Sequence, residues 1–134
     1  MQRCRVEIIT QTDGRESRVV KSGTMCLTPV SLGICYEDNG AKVELSLKNG
    51  VVEICRTGDY SMFLTLKKGA VTDGTLGIGG QVGNIRTSTT RIAYSLRETS
   101  ALLSLHYELF IGTEKQAMKL RIVAQYEDTG ENTL

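Results

Sequence analysis

Arg56 is the residue of this sequence whose type and position most readily suggest chemistry. It follows Val52 and Ile54 at two-residue spacing in the run VVEICR, so the three side chains share the strand face that we expect to point inward. A buried guanidinium must be paired, and Glu37 or Asp38 is the candidate partner. One interpretation, which we favour, is a structural ion pair that closes one end of the fold. The other is an anchor that holds a ligand carboxylate or phosphate bidentately.

A glycine-rich stretch, LGIGGQVGNI at residues 76–85, invites comparison with phosphate-binding loops. A dinucleotide fingerprint needs G-x-G-x-x-G ahead of a helix. Here Gly77 and Gly79 are followed by Val82, and the next glycine, Gly83, comes one residue late. The residues that follow are rich in Thr and β-branched side chains, which predicts a strand and leaves no helix N-terminus to bind an anion. We therefore interpret the stretch as a bent connection that feeds a long strand.

The sequence gives little support for a catalytic nucleophile or a metal site. The single histidine, His106, shares a strand face with Ser104 and Glu108, but residues two apart on a strand are separated by roughly 7 Å, too far for direct proton relay. We therefore expect an exposed histidine, and we assign no catalytic residue, metal site or cofactor. The four cysteines form no C-x-x-C pair, so we expect free thiols; they are Cys4, Cys26, Cys35 and Cys55.

Composition and charge argue against several classes of partner. The chain has 134 residues with 16 Lys and Arg against 15 Asp and Glu, and a net charge of +1 exerts no long-range attraction on nucleic acids or acidic membranes. The lack of Trp disfavours a barrel that stacks nucleic-acid bases. No apolar run approaches the roughly 20 residues of a membrane-spanning helix, and Glu7 interrupts a signal-peptide pattern. We expect a cytoplasmic protein that binds neither nucleic acid nor membranes.

The elements that must position these residues are short strands joined by tight turns. Apolar and polar side chains alternate between the turns, as they do around Val43, Leu45 and Leu47. The turns contain Asp-Gly or Asn-Gly pairs, which supply positive φ angles, at residues 13–14, 39–40, 49–50 and 73–74. This pattern predicts an all-β fold, a closed antiparallel barrel of about eight to ten strands.

Two segments near the C-terminus also carry helix-favouring residues, namely 99–110 and 113–125. Their two-residue alternation and the short Gly-Thr-Glu turn between them fit a β-hairpin better than a pair of helices. We expect one β-barrel domain at residues 1–128, followed by a polar tail at residues 129–134.

Four segments, taken in order, resemble a known family. They are CYED with Tyr36 and Glu37, ICRTGDYSMFL with Arg56 and Gly58, VGNIRTSTTRI, and the closing pair LSLHYELFIG and MKLRIVAQ. Across about residues 3–128 the chain is similar to the YwiB-like family of small bacterial proteins of unknown function. The resemblance implies a calycin-like (lipocalin-like) β-barrel and no established activity. Ile78 departs from the family pattern, which has an aromatic residue before the Gly83 turn.

We consider two functions for such a barrel. The first is non-enzymatic binding of a small apolar or amphipathic molecule inside the barrel, since tyrosines give an apolar wall with a polar tip. The alternative is a solid barrel that serves as a protein-interaction or self-association module, for example a homodimer that pairs through an edge strand. In the first case the ligand-binding side chains would be Tyr36, Arg56, Tyr60, Met62, Tyr94, Leu105 and Tyr107.

Overall fold

The computed structural model describes residues 1–127, which form ten β-strands and no helix. The predicted polar tail at residues 129–134, and residue 128 of the predicted domain, lie outside the described residues. The first five strands are β1 Gln2–Thr12, β2 Arg15–Leu27, β3 Ser31–Asp38, β4 Ala41–Lys48 and β5 Val51–Thr57. The other five are β6 Tyr60–Lys67, β7 Val71–Ile78, β8 Gln81–Leu96, β9 Ser100–Ile111 and β10 Glu114–Tyr126.

The strands form a closed antiparallel barrel. Each strand pairs with the next along the chain, and β10 pairs with β1 to close the ring. The predicted barrel is therefore confirmed, at the upper end of the expected number of strands. The two segments near the C-terminus for which helices were considered form the β9–β10 hairpin instead, with Leu105 opposite Leu120.

Positive backbone φ angles explain why the chain turns where it does. Asn39 and Gly40 have φ values of 51° and 83°, and the Asp13–Gly14 and Asn49–Gly50 pairs show the same combination. Consecutive positive φ angles are the requirement of the two-residue hairpin turn whose twist matches that of the flanking strands. The turn predicted at residues 73–74 is wrong, because both residues lie inside β7, where Gly74 packs too closely on the Phe63 carbonyl oxygen to carry a side chain. Gly79 and Gly80, with φ values of 59° and 82°, turn the β7–β8 hairpin instead. The glycine-rich stretch is thus a strand, a tight turn and the start of the 16-residue strand β8, as the strand interpretation required.

Inward-facing aliphatic side chains fill the middle of the barrel. Alternate residues are buried in most strands, and one continuous cluster with at most 8% exposure contains side chains from every strand except β7. Such low exposure leaves no wide hollow along these side chains. The cluster includes Val6, Met25, Leu45, Leu64, Leu103, Leu105 and Ile122.

The pairing between β6 and β7 is the shortest in the barrel wall. Only Tyr60–Phe63 pair with β7, and the two strands then diverge. The carbonyl oxygen of Thr65 is left without a ladder partner and instead accepts hydrogen bonds from the hydroxyls of Thr72 and Thr87. Two threonine side chains therefore replace the missing backbone bond at this seam, which satisfies a carbonyl group that would otherwise be costly to bury.

The turns alternate between the two ends of the barrel, and we name the ends by one residue each. At the Tyr126 end, the Tyr126 hydroxyl accepts a hydrogen bond of 3.0 Å from the Leu27 backbone N–H. The Tyr126 backbone N–H donates to the Thr99 carbonyl oxygen, also at 3.0 Å. Leu27 and Leu96 pack on the core at this end. The Arg56 end lies opposite and carries the turns at residues 13–14, 39–40, 58–59, 79–80 and 112–113.

Candidate functional site

Arg56 lies near the C-terminal end of β5, between Val43 of β4 and Met62 of β6 in the cross-strand register. It occupies the inward face, in step with the buried residues Val52 and Ile54. Its side chain is only 14% exposed. The position predicted from two-residue alternation is therefore the one observed, with a guanidinium at one end of an interior that is lined mainly by aliphatic side chains.

Two carboxylates contact the guanidinium group. Arg56 Nη1 lies 3.6 Å from Asp38 Oδ2, and Arg56 Nη2 lies 3.4 Å from Asp59 Oδ1. Lys21 Nζ approaches Asp38 Oδ1 at 3.3 Å, so Asp38 joins two cations. Asp38 confirms one of the two predicted partners, whereas Glu37 is exposed on the opposite strand face.

Asp59 and Lys21 were not predicted from the sequence, for different reasons. Asp59 stands three residues after Arg56 across the Gly58 turn, a spacing that could have been noticed. Lys21 is distant in sequence and reaches Asp38 where β2 and β3 diverge, because β2 pairs with β3 only from Gly23 onward. That divergence has no sequence signal that we can identify.

Two tyrosines border Arg56. The guanidinium carbon lies 4.4 Å from the centre of the Tyr60 ring, a cation–π arrangement. Tyr36 sits two strands away in the same cross-strand row, opposite Val43. Burial, and secondarily the Asp38 carboxylate, raise the pKa of Tyr36 to about 12, while Arg56 acts in the opposite direction. The Tyr36 hydroxyl is thus protonated at neutral pH and can donate a hydrogen bond.

Two buried polar atoms of residues 1–127 lack a hydrogen-bond partner, Arg56 Nε and Thr89 Oγ1. Thr89 lies on the inward face of β8, opposite Tyr107 of β9. Buried donors and acceptors are nearly always satisfied in folded proteins, so an exception calls for a water, a ligand or an ion. On the edge of the guanidinium that carries Nε and Nη2, Nη2 contacts Asp59, whose side chain is 80% exposed, and the buried Nε has no hydrogen-bond partner.

An apolar groove adjoins the charged group at the same end. It has a volume of about 220 Å³ and is lined in part by Leu76, Ile78 and Ile111. Met62 and Tyr60 connect it to Arg56, because Met62 pairs with Leu76 and Tyr60 pairs with Ile78. Ile78 is 60% exposed, and a large apolar side chain in water at a barrel rim is a feature that requires explanation. The Arg56 end is thus amphipathic.

The structure brings together four of the seven predicted ligand-binding residues, Tyr36, Arg56, Tyr60 and Met62. Of the other three, Leu105 is fully buried in the core and Tyr107 is 6% exposed, and this burial raises the pKa of Tyr107 to about 12. Tyr94 is 50% exposed and lies toward the Tyr126 end, opposite Leu103. These three side chains do not form one pocket with the other four.

Other chemistry is not favoured by the geometry of the described residues. All four cysteines are free thiols, with Cys4 buried and Cys26 exposed. Among residues 1–127 no group of three or more His, Cys, Asp or Glu side chains is arranged to hold a metal ion. The same residues contain no helix with the length and hydropathy needed to cross a membrane.

Comparison with known proteins gives a fold and a family. The crystal structure of the YwiB protein from Bacillus subtilis superimposes on this chain with a TM-score of 0.73 and 19% sequence identity, covering 94% of this chain and 91% of that protein. None of the curated proteins matches the chain significantly. The model of the family described as "Domain of unknown function (DUF1934)" matches residues 4–122. This match shows that the chain belongs to the DUF1934 family, as its resemblance to YwiB-like proteins predicted.

Proposed function

We propose that the protein binds a small amphipathic anion at the Arg56 end of the barrel, without catalysing a reaction. The carboxylate or phosphate of the ligand would contact Arg56, and its apolar part would lie along Met62, Leu76 and Ile78. This is a narrower form of the barrel-binding hypothesis, since the ligand occupies the mouth and not the filled middle of the barrel.

The observation that carries the proposal is the unpartnered Nε of Arg56. Nε and Nη2 form one edge of the guanidinium, and an oxyanion that accepts from both would make a bidentate pair. In the present structure Asp59 contacts only Nη2. A ligand carboxylate would displace Asp59, whose exposed side chain loses little on returning to water. The ion pair with Asp38 on Nη1 would remain and would hold the guanidinium in place.

Tyr36 and Tyr60 support the same assignment. The Tyr60 ring covers one face of the guanidinium, which limits its orientation and keeps water from that face. Tyr36 supplies a neutral hydroxyl, and Arg56 is near enough to act on the pKa of that hydroxyl. One fixed cation, one neutral donor and an adjoining apolar groove are the usual components of a site for a small molecule with a polar head.

A thermal-shift series tests the proposal. Octanoate should stabilise the wild-type protein by several degrees at concentrations far above its dissociation constant, because a ligand that binds only the folded state shifts the folding equilibrium. Octanol has the same chain without the charge and should have little effect. Arg56→Gln should abolish the octanoate effect. Arg86→Gln is the matched control, since Arg86 forms an exposed ion pair with Asp73 on the outer wall.

Asp59→Asn sharpens the test. Removing the competing carboxylate should strengthen octanoate binding, because Nη2 and Nε would both be free. Equal stabilisation of the Arg56→Gln variant and the wild-type protein by octanoate would contradict the proposal, as would equal stabilisation by octanol.

A second candidate, self-association, rests on the edge of β2. β2 pairs with β1 from Arg15 onward but with β3 only from Gly23, so within the described residues Arg15–Ser22 have a strand on one side only. Val19 and Val20 are exposed there. An open edge of this length can pair with a second strand. Antiparallel pairing of two copies about Ser17 would place Glu16 of each copy opposite Arg18 of the other, a favourable cross-strand pair.

Charge reversal distinguishes this candidate from the first. If two copies pair in this way, sedimentation equilibrium should show a dimer that is weakened by Glu16→Arg and restored by combining Glu16→Arg with Arg18→Glu. A monomer at all concentrations would exclude it. Neither variant touches the Arg56 end, so octanoate binding should be the same in both.

A further inference from the structure

A second cluster of cations lies on the outer wall, away from Arg56. A groove of about 350 Å³ crosses β9, β10, β1 and β2 and is lined in part by Arg18, His106, Lys119 and Arg121. All four side chains point outward, since they alternate with the buried residues of their strands. The groove is therefore separated from the barrel interior by the sheet itself.

The strand register brings these four residues close together. Arg121 and Arg18 both pair with Ile9 of β1, one from each side. His106 pairs directly with Lys119, and Arg91 of β8 lies on the other side of His106. Neighbouring strands are about 4.8 Å apart and alternate residues of one strand roughly 7 Å apart. Long basic side chains at these spacings can converge on one polyatomic anion.

These cations are not neutralised within the described residues. The ion pairs of residues 1–127 involve Lys21, Lys42, Arg56, Arg86 and Lys115, and none involves Arg18, Arg91, Lys119 or Arg121. Glu16 is the one carboxylate that lines the groove, and it has no cation within ion-pair distance among the same residues. The groove thus keeps a net positive charge in a protein whose overall charge is close to zero.

The titration of His106 agrees with an excess of positive charge. Partial burial, followed by the charges of Lys119 and Arg91, lowers the pKa of His106 below its ordinary value. Glu108 on the same strand pairs with Lys115 and so does not offset these charges. Arg91 Nε donates to Ser104 Oγ at 3.4 Å, which directs that guanidinium toward the groove.

We propose that this outer groove binds the diphosphate group of a small molecule. One carboxylate could not contact cations spread over three strands, whereas a diphosphate offers several charged oxygens in a compact group. Arginine binds such groups bidentately and lysine as a point charge. Ile9, Gln11 and Ser104 lie between the cations, and no Phe, Tyr or Trp side chain lines the groove, which disfavours single-stranded nucleic acid.

His106 provides a direct reporter, because it is the only histidine in the chain. Inorganic pyrophosphate should raise the pKa of His106 as measured by NMR, since a bound anion favours the imidazolium form. Arg121→Gln and Lys119→Gln should each weaken pyrophosphate binding by roughly tenfold or more, the effect of losing one charge-assisted hydrogen bond. The side chains of Lys119 and Arg121 lie on the outer face of β10, as that of His106 does on β9, so the two substitutions leave the core intact.

Control variants and ligands complete the experiment. Arg86→Gln, on another part of the outer wall, should bind pyrophosphate like the wild type. Inorganic phosphate should bind more weakly than pyrophosphate. Adenosine diphosphate distinguishes two kinds of ligand. If it binds more tightly than pyrophosphate, the site recognises a nucleotide; if it binds equally, the site recognises the diphosphate group alone. An unchanged His106 pKa in pyrophosphate, or a change that persists fully in both Arg121→Gln and Lys119→Gln, would overturn the proposal whatever the outcome at Arg56.

Discussion

The two ends of the barrel are closed by different kinds of interaction. At the Tyr126 end, a hydroxyl and a backbone N–H close the barrel with two hydrogen bonds, over a row of buried leucines. At the Arg56 end, a nearly buried guanidinium keeps one donor unsatisfied beside an exposed isoleucine. An ion pair at such a position contributes less to stability than a well-packed apolar plug of similar volume. This difference is the basis of our proposal that the Tyr126 end maintains the fold and that the Arg56 end binds a ligand.

The largest contrast should appear when one aliphatic side chain is truncated at each end. Leu66 is fully buried and adjoins Val52 in the row that leads to Leu27. Leu66→Ala should lower the free energy of unfolding by about 2–5 kcal/mol. Ile78→Ala, at the exposed rim, should change it by no more than about 0.5 kcal/mol. Urea denaturation measures both, and equal losses would contradict the distinction between the ends.

High pH should destabilise the protein through two tyrosines. The pKa values of Tyr36 and Tyr107 are raised to about 12 in the fold, above the ordinary value of 10. The unfolded chain therefore loses these protons first, so their contribution to stability is complete below pH 10 and is lost as the pH rises toward 12. Denaturation at a series of pH values checks this.

Asp38→Asn separates the two tyrosines in the same titration. The charge of Asp38 contributes to the raised pKa of Tyr36 at the Arg56 end, whereas burial alone raises that of Tyr107. The variant should therefore lower the pKa of Tyr36 and leave that of Tyr107 unchanged, as followed by tyrosinate absorbance with Tyr36→Phe and Tyr107→Phe for assignment. A fall in both values would show that the two environments are not independent.

Removing one hydroxyl from the Tyr126 end should have an intermediate effect. Tyr126→Phe keeps the ring but leaves the Leu27 N–H without its acceptor, which should cost about 1–3 kcal/mol of unfolding free energy. Tyr94→Phe removes the same hydroxyl from a half-exposed ring and is the matched control. An unaltered denaturation midpoint for Tyr126→Phe would mean that water replaces the hydroxyl as the hydrogen-bond acceptor and that this end of the barrel is open to solvent.

The smallest effect on stability is expected at Arg56 itself. Arg56→Met replaces a nearly buried cation by an apolar side chain of similar length, and Asp38 keeps its contact with Lys21. Because the Asp38 side chain is 36% exposed and keeps Lys21 as its partner, no buried charge is left unpaired. The change in unfolding free energy should therefore stay within about 1 kcal/mol while octanoate binding disappears. A loss of several kcal/mol would instead identify Arg56 as a structural plug.

Much of the fold could be predicted because its signals are local. Two-residue alternation identifies the inward face of each strand, and the Asn39–Gly40 and Asn49–Gly50 pairs specify their own hairpins. The inward position of Arg56 followed from the same alternation, and Asp38 was one of the two partners expected for it. These features depend only on residues that are close together in the sequence, so they can be predicted from one sequence.

The rest of the site could not be predicted because it depends on where strands stop pairing. Tyr94 has the register of an inward residue, yet β7 pairs with β8 only as far as Ser88, so no paired β7 residue lies beside Tyr94, which is 50% exposed. Lys21 reaches Asp38 only because β2 separates from β3 before Gly23. The extent of each ladder is set by the packing of the whole barrel, and alternation in one strand does not reveal it.

The most direct measurement is chemical-shift mapping of the backbone amides during titration with octanoate. If the ligand binds at the Arg56 end, the perturbed amides should cluster at Tyr36, Arg56, Tyr60 and Met62 and along Leu76–Ile78. The perturbations should vanish in Arg56→Gln. Perturbations that centre on the Tyr126 end or the outer wall, or that remain in Arg56→Gln, would contradict a ligand site at the mouth of this barrel.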